Sequence, residues 1–247
     1  MRLHLAQAFS NRAPRGRKHD FRDAERLVRR LVADELTLSF VPPPEQRAGR
    51  TITRMKVQLT EEKSRLSSQL ECLLEEMRLK LSSVISDLLG ASGYRILRAR
   101  ARGETEAQRL ADLGSDLLKC TEQQLLDALT GDSQPVHGQL LALYLDRYDV
   151  LVEQIAELER LAAQALHAPQ EAVVRLAAVP GFGVDWAQQV IAEVGAAAKT
   201  FPSSHNLAAW VGTCPGEDVS AEENHRSRSP KGNRYMRCRR ACKNVEI

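Results

Sequence analysis

The chain has 247 residues, 43% of them hydrophobic, which is enough for one large or two smaller packed domains. No run approaches the roughly 18 apolar residues that a bilayer span needs, so a membrane protein is not expected. The net charge of +3 hides a segregation: residues 104–174 hold 4 Lys/Arg against 13 Asp/Glu, and the rest holds 31 against 19. The two ends are therefore the expected nucleic-acid surfaces, and the middle is not. The N-terminal segment is basic but lacks the apolar core of a secretory signal. Cys72, Cys120, Cys214, Cys238 and Cys242 are scattered without zinc spacing, which reads as reduced thiols in the cytoplasm.

In chain order, the first feature is Asp20 and Asp23, three residues apart at an expected helix start. That spacing puts both carboxylates on one side, where they can share a hard cation such as Mg²⁺. The plainer reading is an N-cap and two acids complementing the helix dipole. Val41, Pro42, Pro43 and Pro44 mark a linker. Residues 51–89 read as one long helix, with Leu66, Leu70, Leu73, Met77, Leu81, Val84 and Leu88 at three- and four-residue steps. Gly90 and Gly93 punctuate it, and residues 107–129 give shorter helices. A turn at residues 132–135 precedes a helix with a clean heptad: Leu141, Tyr144, Tyr148, Leu151, Ile155, Leu158, Ala162 and Ala165. Such a narrow seam wants a partner helix, as in a coiled coil. Residues 51–89 folded back antiparallel, or the same helix of another protomer, would serve; a bundle packed only on itself is the alternative.

Residues 173–237 carry the densest pattern. An apolar helix end, Leu176 and Val179, meets a tight turn, Pro180, Gly181, Phe182 and Gly183. A second helix follows with Ala187, Val190, Ile191 and Val194 on one face. This is the pattern of a helix-hairpin-helix, in which both glycines are free to take positive φ and the turn offers backbone N–H groups to a phosphate. An ordinary αα-hairpin is the plainer reading. Residues 201–210 read as a short helix closing on Trp210, broken by Gly212, Pro215 and Gly216. Ser220 follows in a polar segment, then a basic run: Arg226, Arg228, Lys231, Arg234, Arg237, Arg239, Arg240 and Lys243. A lone loop serine more often solvates or caps than reacts.

The order PGFG, AEVG, LAAWVG, CPG, S, KGN, MR over roughly 65 residues resembles the C-terminal domain of the DEDD-type insertion-sequence transposases. These are relatives of the Piv-type DNA invertases, and some are guided by a bridge RNA. The segment from Arg17 to Leu27 is similar to the last part of that family's RuvC-like domain. The resemblance implies a mainly α fold in three parts. Residues 1–45 would be the C-terminal remnant of a RuvC-like α/β domain. Residues 46–170 would be a long antiparallel coiled-coil or helical region. Residues 171–247 would be the transposase domain, with the helix-hairpin-helix and a serine loop.

The implied activity is DNA strand exchange. Ser220 stands at the place of the nucleophile, and Asp20 and Asp23 at surviving acids of a Mg²⁺ site. Pro180, Gly181, Phe182 and Gly183, with Arg226, Arg228, Lys231, Gly232 and Arg234, would contact DNA. No Asp or Glu precedes Asp20, so the family's upstream acidic pair is not in this chain, which is expected to be truncated and defective. Ala221, Glu222, Glu223 and Asn224 replace the small, Gly/Lys-rich stretch that usually follows the serine. The implied partners are DNA, a guide RNA in some members, and further copies of the chain through the helical region. Two other readings stay open: a non-catalytic DNA-binding remnant, and an interaction protein whose helical arm is the functional part.

Overall fold

The computed structural model describes residues 4–7, 11, 20–114, 118–131, 134–213 and 232–236. Among them stand ten α-helices, and extended pairing is limited to one isolated antiparallel bridge between Ala6 and Leu38. The mainly α expectation holds. No described helix is long and apolar enough to cross a membrane. The chain divides into two compact units. One joins Met1–Arg50 to Ala172–Ile247, and the other is Thr51–Glu171.

In the first unit, α1 (Asp20–Val32) follows the short bridge region. Asn11 ties that region together: its side chain donates to the carbonyls of Gln7 and Thr37 and accepts from the Thr37 N–H. Helix α2 (Pro44–Glu76) starts inside the proline run expected to be a linker. Pro44 can begin a helix because its missing N–H has no intrahelical partner there, and the Pro43 carbonyl accepts from Arg47 N–H at 3.0 Å.

In the second unit, α2 does not continue to Leu89. It ends at Glu76, and Arg78 takes a left-handed φ of +57°. The cause is a packing conflict. Met77, Leu79 and Leu81 are all buried, yet alternate residues of a straight helix point to nearly opposite sides. The left-handed residue turns the chain so that all three enter one core. Lys80 N–H then donates to the Ala128 carbonyl.

A short α3 (Leu81–Val84) leads to α4 (Ala91–Ala101). Gly93 lies inside α4 instead of punctuating the chain. A Cβ there would sit 2.3 Å from the Leu88 carbonyl oxygen, so only glycine lets α4 close on the preceding turn. Helices α5 (Ala107–Ala111) and α6 (Glu122–Leu129) follow. Thr121 and Gln124 cap α6 reciprocally, side chain to backbone in both directions. Helix α7 (Pro135–Ala165) begins, like α2, with a proline in its first turn.

The heptad faces inward along its whole length. Leu141, Leu151, Leu158 and Ala162 are buried, and Tyr144, Tyr148, Ile155 and Ala165 are half-buried. Its partner is α2 of the same chain. Lys56 pairs with Glu159 at 3.0 Å and Glu62 with Arg147 at 3.9 Å, and Lys63 lies over the Tyr148 ring. Numbers rising along α2 against numbers falling along α7 make the pair antiparallel. Leu70, Leu74, Ile96, Leu97, Leu141 and Leu145 share the central core. Arg98 fastens α4 to α7 through Asp146 and Asp149, and the Tyr94 hydroxyl donates to Asp149 at 2.7 Å. Burial pushes the Tyr94 phenol up, and the Asp149 acceptor adds to it. Burial works against the Arg98 charge, but Asp146, Tyr94 and Asp149 outweigh it and raise its pKa.

Candidate nucleic-acid interface

Helix α8 (Gln170–Ala177) and α9 (Val184–Val194) are joined by the expected tight turn. Phe182 N–H donates to the Val179 carbonyl at 2.9 Å. Gly181 takes φ +83°, which needs glycine. Gly183 does not: it caps α9 at φ −95°, in extended backbone that any residue adopts. Pro180, Gly181, Phe182 and Gly183 are all exposed. A Cβ on either glycine would meet nothing within 4 Å, so the backbone here faces open space. The Phe182 ring leans on Trp186 at 6.3 Å.

Helix α9 packs the face read from its sequence. Ala187, Ile191 and Val194 are buried and Val190 is half-buried. Glu193 is also buried, at 1% exposure. An acid in the last turn of a helix opposes the macrodipole and the nearby carbonyl oxygens. Arg50 from α2 answers both problems. Its guanidinium lies 3.7 Å from the Glu193 carboxylate and donates to the carbonyls of Ala192 and Glu193. The Gln46 amide adds a bond to the Ala192 carbonyl at 3.1 Å. The helix end that lacks its own donors is thereby satisfied.

Helix α10 (Ser204–Val211) is capped by Ser203, whose hydroxyl accepts from Asn206 N–H, and ends on Gly212 at φ +88°. Phe201 and Trp210 meet at 5.2 Å. Residues 232–235 then lie against both helices. A Cβ on Gly232 would fall 1.9 Å from the Val211 carbonyl oxygen. Asn233 N–H donates to the Trp210 carbonyl at 3.0 Å, and its side-chain amide donates to Glu193 at 3.2 Å. The Gln189 amide donates to the Tyr235 carbonyl. So the chain leaves at Thr213 and is back beside Val211 and Gly212 at Gly232. The intervening stretch carries Ser220, Arg226, Arg228 and Lys231, which lie outside the described residues.

Gly232 thus has a packing role against α10. Arg234 is exposed, with its guanidinium 5.2 Å from the Tyr235 ring centre. The turn at residues 180–183 and the segment at 232–235 share α9 but not one end of it. Residues 184 and 193 are about 14 Å apart along a helix axis. Asp20 and Asp23 stand in the first turn of α1, where Asp23 lies 3.7 Å from Arg26. No group of three or more His, Cys, Asp or Glu arranged for a metal occurs among the described residues. Two carboxylates at an exposed helix end, one beside an arginine, do not make a Mg²⁺ cage by themselves.

Arg50 and Gln46 escaped the sequence reading, and Glu193 and Asn233 entered it only inside the AEVG and KGN motifs, with no role of their own. One signal was present: a carboxylate two residues before the glycine that ends an apolar helix, where the dipole disfavours it. That misfit announces a cationic partner, but only the fold shows that Arg50 supplies it from 143 positions away.

Comparison with known proteins places these residues in context. Over 236 residues the chain is 28% identical to a protein of Sinorhizobium fredii whose name proposes it as a transposase, y4rJ. The alignment covers 87% of this chain and 51% of the relative, so the chain spans about half the length of the curated relative it matches. No solved structure matches. Residues 174–239, which hold the second half of α8, all of α9 and α10 and the segment packed on them, match the family model described as transposase IS116/IS110/IS902 family.

Proposed function

We propose that the chain is an insertion-sequence transposase component that binds DNA through its first unit and exchanges strands through Ser220. The observation that carries this reading is the family match over residues 174–239. The described residues add two supports. The turn at residues 180–183 leaves backbone in open space at the N-terminal end of α9, where N–H groups and the helix dipole suit a phosphate. The contacts of Gly232 and Asn233 hold the end of the Ser220 segment against α9 and α10.

In the proposed step the Ser220 oxygen bonds to a DNA phosphorus while the bond from phosphorus to one sugar oxygen breaks. The serine proton leaves to a base, and the departing sugar oxygen gains one. The phosphoserine link keeps the bond energy for rejoining to another strand. Arg226, Arg228, Lys231 and Arg234 would neutralise the phosphate and its transition state. DNA is the partner of this reading, and a guide RNA is a further proposed one.

A second reading is DNA binding without chemistry. Glu222 and Glu223 favour it, because two carboxylates beside the serine repel a phosphate. One experiment separates the two. The chain is incubated with element-junction DNA and Mg²⁺, with co-expressed RNA retained, and denaturing gels are read for a protein–DNA adduct. The first reading expects an adduct that Ser220→Ala abolishes while DNA affinity stays. Equal capture by Ser220→Ala overturns the serine assignment, and affinity without an adduct supports the second reading.

A further inference from the structure

The helical unit holds a basic trough that the charge map of the sequence assigned to no partner. Residues 88–103 contain Arg95, Arg98, Arg100 and Arg102 and no carboxylate. Arg100 is buried in the core, at 4% exposure. The other three, Arg95 and Arg98 on α4 and Arg102 at its C-cap, stand at i, i+3 and i+7 and so share one face. With Tyr94, Leu113 and Asp149 they line a cavity of about 570 Å³. A second cavity of about 510 Å³ shares Arg102 and Leu113 with the first and continues the trough to Arg109.

The three arginines differ in what already holds them. Arg98 is fixed by Asp146, Asp149 and the Tyr94 oxygen. Asp149, the carboxylate in the cavity wall, is therefore engaged from two sides. Glu104, on the other side, accepts from the N–H groups of Thr105 and Glu106 and pairs with Arg109. Among the described residues, the side chains of Arg95 and Arg102 make no hydrogen bond or ion pair. Two open guanidinium forks flank a locked one, roughly 10 Å apart along the helix. Such forks match phosphate oxygens two at a time. The apolar wall at Leu113 suits the sugar or base face between phosphates.

We propose that this trough binds the sugar–phosphate backbone of a single nucleic-acid strand, with Arg95 and Arg102 as its two phosphate contacts. A free phosphate would fill only one fork, whereas a strand supplies charge at both. The inference rests on the proposed function only for preferring a nucleic acid to an acidic peptide.

The test uses the full chain with fluorescent oligouridylate and oligothymidylate, titrated over a range of salt. Arg95→Ala/Arg102→Ala is expected to lower the slope of log affinity against log salt by about 1.4, since each single-strand contact contributes about 0.7. Both side chains are exposed, so helix content and melting should stay as in the wild type. Arg95→Lys/Arg102→Lys is expected to keep the slope and bind more weakly, because a lysine is a point charge and not a fork. Photocrosslinking from a thiouridine-bearing strand should label residues 91–103.

An unchanged slope in the alanine pair, with crosslinks confined to residues 171–247, overturns the inference and leaves the DNA-binding reading standing. Binding of polyglutamate that depends on Arg95 and Arg102, with oligonucleotide binding unaffected, also overturns it and indicates an acidic protein partner. If the wild type shows no salt-dependent affinity for any nucleic acid, the inference and the proposed function fall together. A slope change with undiminished affinity for junction duplex separates this trough from the first unit.

Discussion

At the scale of single residues, geometry and environment rank two ion pairs in opposite orders. Arg29 and Glu25 meet at 2.6 Å, but both side chains are largely in solvent. Arg50 and Glu193 are 3.7 Å apart, yet the Glu193 side chain is fully buried. An exposed pair contributes about 0–1 kcal/mol at most. Removing one member of a buried pair leaves the other charge without compensation and costs about 3–5 kcal/mol. Arg50→Ala also strips donors from the α9 carbonyls. Urea unfolding should therefore show Arg50→Ala destabilised by several-fold more than Arg29→Ala. Equal effects would mean that Glu193 finds another cation. At this scale the sequence was legible where chemistry is local, as in Gly181 at its turn. It was silent where the partner is remote, because no spacing rule links position 50 to position 193.

At the scale of elements, period carried most of the information. The heptad of α7 was readable because burial repeats with the helix, and every member of the seam is at least half-buried. Breaks were harder. Helix α2 ends at Glu76 because Met77, Leu79 and Leu81 all belong in one core. A window of helix-forming residues does not reveal that competition. Gly93 misled in the other direction: its purpose is close approach to Leu88, not termination. The seam gives a sharp contrast for mutagenesis. Leu141 is 0% exposed and Leu143, two residues on, is 65% exposed. Leu141→Ala removes core contacts and leaves a cavity, at about 2–5 kcal/mol. Leu143→Ala on the open face should stay within about 0.5 kcal/mol. Comparable losses measured by denaturant would show that Leu143 is covered in solution, by a second copy or another partner.

At the scale of the whole molecule, the chain's order and its spatial grouping differ. Residues 1–50 group with residues 172–247, and the stretch between them forms its own core. Three consecutive segments are what the resemblance implies, and charge averaged over long blocks does not show that Arg50 meets Glu193. The same averaging hid the basic face of α4, which lies just before the acidic block that begins at residue 104.

Two compact units should respond separately to damage at residues that share no partner, since such substitutions act independently. Leu141→Ala strikes the core that holds Ile96 and Leu97, and Arg50→Ala strikes the end of α9. Native-state hydrogen exchange can resolve the two, because amides report the cheapest opening that exposes them. Leu141→Ala should speed exchange at residues 96, 97 and 145 and leave residues 191–194 as they were. Arg50→Ala should do the reverse. Helix α2 makes the comparison stringent, because it runs unbroken from Pro44 to Glu76 through the boundary at Arg50. Were its helical bonds enough to couple the two cores, both variants would accelerate both sets of amides, and the units would open as one.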